Sequence, residues 1–452
     1  MKEERAKFGS KIGIILATAG SAVGLGNVWR FPYMTGQNGG AAFILIYIVC
    51  VLLLGIPCMV SEFAIGRHGA ANAARAYSRM PGGRAWKYVG LLGVASGFLI
   101  TGYYAVVSGW CLQYIAASGL GHLKGDPAYV SRYFESFSTS ALKPVAWTVA
   151  ILAATHLVIV RGVRGGIEKA SKLLMPTLFV LLLVVVVSAC MLPGAWRGLE
   201  FLFKPDLSKV GGGVFLGALG QSFYSLSIGM GCICTYASYF KRDTDLVKSA
   251  VQISAIDSMV AILAGMMIFP AAFSAGISPD SGPSLIFITL PNVFNQAFAS
   301  MPALGEAVAV AFYALLSLAA VTSLISLHEV STAFLHEELR ISRRSGAAIV
   351  TVSCCAIGAL CSLSLGAWSG LSVAGVPLFD VFDFVTGQVF LPLGGFLTCL
   401  FVGWAAPRKV MFDEVTNGGT LRPRLFGVYL FAVRYFCPAA IAAVFLHQLG
   451  VF

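Results

Sequence analysis

Charge is what this sequence has least of. Only 11% of its 452 residues are Asp, Glu, Lys or Arg, and 58% are hydrophobic, where a soluble domain carries about 25% charged residues. That scarcity excludes a soluble globular protein and implies a polytopic membrane protein. Each membrane helix needs about 20 apolar residues. Eleven such segments can be read, at roughly 12–35, 41–66, 88–119, 145–160, 167–192, 213–239, 246–276, 303–338, 346–366, 376–403 and 427–449. Histidine is scarce too, with six in the chain. His156, His328 and the others show neither metal-ligand spacing nor a catalytic triad, so nothing points to an enzyme. The 11 cysteines lie almost entirely inside apolar segments, and the best candidate for an outer loop, 121–143, has none. A structural disulfide is therefore not expected. Cys232-x-Cys234 and Cys354-Cys355 read as small apolar helix residues rather than as metal or redox motifs. No cleavable signal peptide is expected, because the first apolar run is too long and too interrupted by polar residues.

The few charges are informative. The net charge of +11 does not imply nucleic acid, because the cations gather in alternate loops, as membrane topology requires. One set runs through Lys2, Arg5, Lys7 and Lys11, then Arg67, Arg75, Arg79, Arg84 and Lys87, then Arg161, Arg164, Lys169 and Lys172. It continues with Lys241 and Arg242, Arg340, Arg343 and Arg344, and ends with Arg408, Lys409, Arg422 and Arg424. This predicts a cytoplasmic N-terminus and, with eleven spans, an outer C-terminus. The basic stretch 67–87 reads as an interfacial helix. The stretch 277–300, with Pro279, Gly282, Pro283 and Pro291, reads as an outer loop with a short re-entrant helical piece.

The first segment carries an anomaly. Gly20-Ser21-Ala22-Val23-Gly24-Leu25-Gly26-Asn27-Val28-Trp29-Arg30-Phe31-Pro32-Tyr33 places glycines, an amide and a guanidinium where an apolar helix is expected. Lipid tolerates neither open backbone nor a free charge. Such a segment must therefore line a cavity and find partners for its polar groups. The sixth segment repeats the pattern, with Gln221, Ser222, Ser225, Ser227, Gly229 and Gly231 inside an apolar run. Close helix packing explains small residues but not Asn27, Arg30 and Gln221. Two interrupted segments five spans apart point to an inverted-repeat transporter. An odd number of helices reverses orientation, so the repeat must be inverted, with the eleventh span outside it.

These motifs resemble the neurotransmitter:sodium symporter family over nearly the whole chain, from Arg5 to about Pro438. The first-span signature, the Tyr103-Tyr104 pair, the QSFYSLSIGMG break, AAVTSL in the eighth segment and DVFDF in the tenth carry the resemblance. It is strongest to the short bacterial members with eleven helices, which carry hydrophobic amino acids. The resemblance implies an all-α polytopic membrane protein with a LeuT-like 5+5 inverted repeat, broken first and sixth helices and an eleventh helix. The expected divisions are a cytoplasmic segment 1–11, a first half 12–192, a second half 193–403 and a terminal part 404–452. It implies residence in the bacterial inner membrane as a monomer or weak dimer.

The resemblance also implies two sodium ions. The first would be held by the Ala22 carbonyl, Asn27, Ser225 and Asp257, completed by a substrate carboxylate. The second would be held by the carbonyls of Gly20, Val23 and Ala319 and the hydroxyls of Thr322 and Ser323. Those hydroxyls could also simply bond back within their own helix. Substrate carboxylate would meet the amides of Leu25 and Gly26 at a helix N-terminus and the Tyr104 hydroxyl. The ammonium would meet carbonyls of Ala22, Tyr224 and Ser225, plus Ser227. Ser21, Ile100, Tyr224, Ser227, Met230, Ser323 and Leu327 would line an apolar side-chain pocket. Gly24 stands where similar amine transporters have Asp, so the substrate should bring its own carboxylate.

Asp257 departs from the pattern. Many relatives have Asn there, and bacterial ones often add a Glu one turn later, where this chain has Ala261. The positions matching a chloride site, Tyr47, Gln221 and Ser225, are present. A carboxylate at Asp257 supplies the negative charge instead, so chloride-independent transport is expected, with Asp257 a candidate proton acceptor on the return step. Arg30 and Asp383 would close the outside. Arg5 and Glu337, aided by Tyr239, would latch the inside. Gly166 and Pro176 bracket a stretch of the fifth span that similar bacterial members are proposed to unwind. The expected function is sodium-coupled import of neutral hydrophobic or aromatic L-amino acids. An osmolyte or GABA-type carrier, or a non-transporting amino-acid sensor, is the alternative.

Overall fold

The computed structural model describes residues 6–206, 208, 210–276 and 285–448. Among these, eight helices are long and apolar enough to cross a membrane: Ala41–Gly69, Lys87–Gly119, Val163–Cys190, Leu246–Ser274, Pro302–Glu338, Arg343–Ser364, Leu378–Ala405 and Pro423–His447. These are the second, third, fifth, seventh, eighth, ninth, tenth and eleventh spans. The fourth is Lys143–Ile159. The first is a bent pair, Lys11–Ala22 and Gly26–Gln37, at 55° to one another. The sixth is split into Gly212–Ser225 and Cys232–Ala237. Every apolar segment expected from the sequence is thus occupied by helix, and the chain is an all-α, multi-pass membrane protein whose strands, among the described residues, are a short hairpin pairing Ser372–Val373 with Val376–Pro377.

Boundaries shift where local chemistry differs from hydropathy. The second span runs on to Gly69 and stops because Ala70 takes a left-handed conformation at φ 40°. What remains of the basic stretch is a two-turn helix, Ala73–Arg79, capped by the Asn72 side chain, which accepts from the Arg75 amide at 3.1 Å. The outer stretch 121–143 contains a helix, Pro127–Ser138, capped by Asp126. Of the stretch 277–300, residues 277–284 lie outside the described residues, while Leu290–Ala297 is helical with Pro291 in its first turn.

The long third and eighth spans pack against each other and form the spine beside which both breaks lie. The N-terminal segment is tied underneath. The Gly9 amide and Ser10 hydroxyl donate to Glu168 of the fifth span at 2.6 and 2.8 Å, and Lys172 reaches the same carboxylate. Phe8 packs edge-on against Tyr236 and Tyr239 at the end of the sixth span. The helix Arg408–Thr416 is tied to the end of the second span through Glu414, which receives Arg67 and His68. Burial alone would push the Glu414 carboxyl up, but the hydrogen bond from His68 and the Arg67 guanidinium hold it below its ordinary value.

The break in the sixth span is enforced by backbone conformation. Ser227, Gly229 and Gly231 all have positive φ, at 56°, 86° and 73°. A Cβ on Gly229 would lie 2.4 Å from the Leu391 carbonyl oxygen of the tenth span. Gly229→Ala therefore combines a left-handed penalty of about 1–2 kcal/mol with a clash against fixed backbone. The expected outcome is a clear fall in the thermal unfolding midpoint of the purified protein together with lost transport. An unchanged melt would show that the tenth span yields to the sixth.

Candidate functional site

The two breaks face each other, and their bare backbone finds partners across the gap. The Asn27 side chain is the junction. Its Oδ1 accepts from the Gly24 amide at 3.0 Å, within its own break. Its Nδ2 donates to Asp257 Oδ1 at 2.7 Å and to Ser225 Oγ at 3.2 Å. Ser225 Oγ donates to Asp257 Oδ2 at 2.8 Å, and the Tyr47 hydroxyl donates to the same oxygen at 3.2 Å. Asn27 and Asp257 are fully buried. A carboxylate ringed by an amide and two hydroxyls in a dry interior is a concentrated oxygen set, the donor type a hard cation takes. Gln221 is also fully buried nearby in sequence, and neither its amide oxygen nor its nitrogen is hydrogen-bonded.

The breaks are also stitched directly. The Ser227 hydroxyl donates to the Ser21 carbonyl at 2.9 Å, which offsets the strain of its left-handed backbone. The Leu25 amide donates to the Tyr104 hydroxyl of the third span at 3.0 Å. On the eighth span, Ser323 Oγ donates to the Val23 carbonyl at 3.3 Å. Thr322 Oγ1 bonds back to the Ala319 carbonyl at 2.9 Å. Back-bonding at Thr322 occupies its proton and leaves its lone pairs available, so the alternative raised by the sequence and a ligand role coexist. Gly20 lies against the same place, with the Thr322 side chain and Met175 of the fifth span as its nearest neighbours.

Between the breaks lies a cavity of about 50 Å³. Ser21, Ala22, Gly26, Ile100, Tyr104, Tyr224, Ser225, Ser227, Met230, Ser323 and Leu327, the residues expected from the sequence to meet a substrate, all line it. Leu25 contributes through its amide instead. Tyr103, Gly387 and Leu391 join the lining, and none was singled out as a pocket residue. The tenth-span pair lacked a signal, since a Gly and a Leu in an apolar helix look like any others.

Above the cavity, the Arg30 guanidinium lies over the Tyr224 ring, 4.4 Å from its centroid. Asp383 is exposed and meets the Tyr103 hydroxyl while feeling Arg30 at longer range. Arg30 therefore makes a cation–π contact here, with Asp383 beside it rather than in a close ion pair.

The residues expected at the inner side are placed as follows. Arg5 lies outside the described residues. Glu337 accepts from the Asn72 amide at 2.8 Å. The Tyr239 hydroxyl donates to Glu329 at 2.6 Å, and Arg343 grips both oxygens of the same carboxylate. Glu329 is completely buried in the eighth span. Glu329 and Arg343 are not among the residues expected from the sequence, although a carboxylate in an apolar run is itself a signal of function or pairing. Glu62 carries the same signal. It is buried in the second span and accepts from the Gly229 amide at 2.7 Å, satisfying a donor that the sixth-span break exposes. In the fifth span, Gly166 sits in a wide helical turn, Val163–Glu168, and Pro176 lies inside Lys169–Cys190, with Glu168 between them.

Broken helices facing each other across an oxygen-lined cavity define a membrane transporter. The chain belongs to the Sodium:neurotransmitter symporter family, which it matches over residues 5–126 and 128–452. It is 36% identical to the uncharacterized sodium-dependent transporter YhdH of Bacillus subtilis, over 100% of this chain and 99% of that one. It is 25% identical to the human sodium- and chloride-dependent creatine transporter 1, over 95% of this chain and 77% of that one. Among solved structures it superposes on MhsT in complex with L-phenylalanine with a TM-score of 0.88 and 40% identity, covering 98% of this chain and 100% of that one. The chain is a transporter of a sodium-dependent family, not an enzyme.

Removing Arg343 would strand the Glu329 charge, a change that costs about 3–5 kcal/mol at buried pairs. Arg343→Ala is expected to lower the unfolding midpoint sharply, and the paired change Glu329→Gln with Arg343→Gln to recover much of it. Equal losses in both variants would show that shape, not charge, holds this corner.

Proposed function

We propose that this protein is a sodium-coupled symporter that imports neutral hydrophobic and aromatic L-amino acids by alternating access. The observation that carries this reading is the junction of Asn27, Ser225 and Asp257 at a cavity walled by Ile100, Met230, Leu327 and Leu391. The polar groups lie at the helix breaks, where an α-amino acid presents its two charges. The walls are apolar and offer no charged partner to a side chain. Met230 is flexible and suits substrates of different shape. The phenylalanine held by the similar MhsT supports the same size class.

In this reading the first sodium binds the Ala22 carbonyl, Asn27, Ser225 and Asp257, with the substrate carboxylate in its shell. The second binds the carbonyls of Gly20, Val23 and Ala319 with Thr322 and Ser323. The Leu25 and Gly26 amides and Tyr104 hold the carboxylate, and Tyr104 exchanges its bond from Leu25 for one to substrate. The ammonium takes the Ser21–Ser227 side, near the carbonyls of Ala22, Tyr224 and Ser225. Arg30 on Tyr224, with Asp383, closes the outside. Glu329, Arg343 and Tyr239 hold the inside, together with Glu337 and Arg5. Unwinding between Gly166 and Pro176 would pull Glu168 from Gly9 and Ser10, releasing the N-terminal segment as the inner side opens. The halves 12–192 and 193–403 then move around a fixed centre, with 1–11 and 404–452 flanking them. The protein sits as a monomer or weak dimer in the bacterial inner membrane with its N-terminus inside. One sodium entering at −100 mV contributes about 2.3 kcal/mol, enough to concentrate substrate about fifty-fold.

Chloride is the point on which a second reading has support. Asp257 places a fixed negative charge where a chloride would be needed, which favours chloride independence. The unpartnered Gln221 amide favours the opposite. The bulky wall disfavours an osmolyte or GABA-type carrier, because a small zwitterion would leave Met230 and Leu327 uncovered. Reconstituted into liposomes, the protein is expected to accumulate tritiated leucine and tryptophan down an inward sodium gradient, equally in chloride and gluconate, and not in potassium. Asp257→Asn is expected to weaken sodium activation at least ten-fold in gluconate and to regain part of it in chloride. Binding without accumulation would indicate a sensor. An absolute chloride requirement in the unaltered protein would remove the assigned role of Asp257.

A further inference from the structure

Three of the cysteines scattered through the apolar segments converge. Cys58 of the second span, Cys399 of the tenth and Cys437 of the eleventh bring their sulfurs within 4.8 Å of one another, and Cys58 Sγ lies 3.4 Å from Cys399 Sγ. All three are free thiols and at most 1% exposed. Cys437 Sγ also faces the Leu53 carbonyl at 3.8 Å.

We infer that Cys58, Cys399 and Cys437 form a trigonal site for one soft, monovalent d¹⁰ cation of the Cu(I) class. Metal–thiolate bonds are about 2.3 Å long, so three sulfurs around a central ion stand about 4.0 Å apart. The observed spacing reaches that arrangement with side-chain adjustments below an ångström. Thiol donors select soft ions. Three ligands, with no histidine or carboxylate in the cluster, fall short of the four that structural zinc takes. Each sulfur binds as its thiolate, so loading releases the three thiol protons to solvent and strengthens as pH rises.

The position gives the site a consequence. Cys58 lies one helical turn before Glu62, which holds the Gly229 amide in the sixth-span break. Cys399 lies one turn after Gly395, which touches the Phe223 ring just before that break. An ion bound to the trio joins the two helices that brace the break from behind and fastens both to the last span. Occupancy therefore stiffens the second and tenth spans against one another. This does not depend on which substrate the protein carries.

The test uses the full-length protein in lipid nanodiscs, loaded anaerobically with Cu(I) and competed with bicinchoninate. One copper per protein should survive competition, with an X-ray absorption shell of three sulfurs and no nitrogen or oxygen. Cys437→Ser and Cys58→Ala should each reduce retention at least ten-fold, while Cys361→Ser, on the ninth span, should retain it fully. Cu(I) should raise the unfolding midpoint of the unaltered protein and of Cys361→Ser, but not of the two cluster variants. A mixed-ligand shell, retention that survives Cys437→Ser, or failure to retain copper would overturn the assignment. Should a cluster variant fail to fold, the absorption spectrum of the unaltered protein decides alone.

Discussion

A helix broken inside a membrane exposes amides and carbonyls that lipid cannot satisfy, and this chain breaks two. Everything near the centre follows from closing that deficit. Asn27 turns its oxygen to the Gly24 amide in one break and its nitrogen to Ser225 in the other and to Asp257 on the seventh span. Glu62 takes the Gly229 amide, Tyr104 takes the Leu25 amide, and Ser227 reaches back to the Ser21 carbonyl. The groups that make the breaks tolerable are the same kinds of group that bind an ion and a zwitterion. In the proposed function, structural necessity and binding chemistry are met by one set of atoms.

This dual use explains the contrast between centre and flanks. In the proposed function the central hydrogen bonds are ones that a cation or a substrate carboxylate replaces without leaving a group unpaired, with Tyr104 passing from the Leu25 amide to a ligand and Thr322 coordinating while still donating to its own helix. At the inner edge the interactions are of another kind. Glu329 and Arg343 form a buried ion pair reinforced by Tyr239, which is costly to leave half-broken. Such a corner favours two discrete states. The N-terminal segment, held by Glu168 within the fifth span, connects that corner to the backbone bracketed by Gly166 and Pro176.

Much of this was legible in the linear chain. The glycines and polar residues at 20–30 and 220–231 violate the rules of an apolar helix so openly that both breaks, their pairing and most of the cavity lining could be named beforehand. Other parts were visible but passed over. Glu62 and Glu329 are carboxylates in apolar runs, and that alone marks them as paired or functional. The bond from the Tyr239 hydroxyl to Glu329 depends on how two distant helices pack, which spacing along the chain does not announce. Gly387 and Leu391 carried no signal at all, because their role comes from which neighbour their helix leans on.

The sequence by itself determined what cannot be evaded locally. Apolar runs must cross the membrane, positive loops must stay on one side, and polar or glycine-rich interruptions must line a cavity, because lipid offers no hydrogen bonds to replace those lost. Only the tertiary structure decided which distant groups meet. Asn27 finds Asp257 across 230 residues, and Cys58 finds Cys399 across 341. Such contacts depend on how helix faces pack, and side-chain spacing along a chain says which face a residue occupies but not what stands opposite.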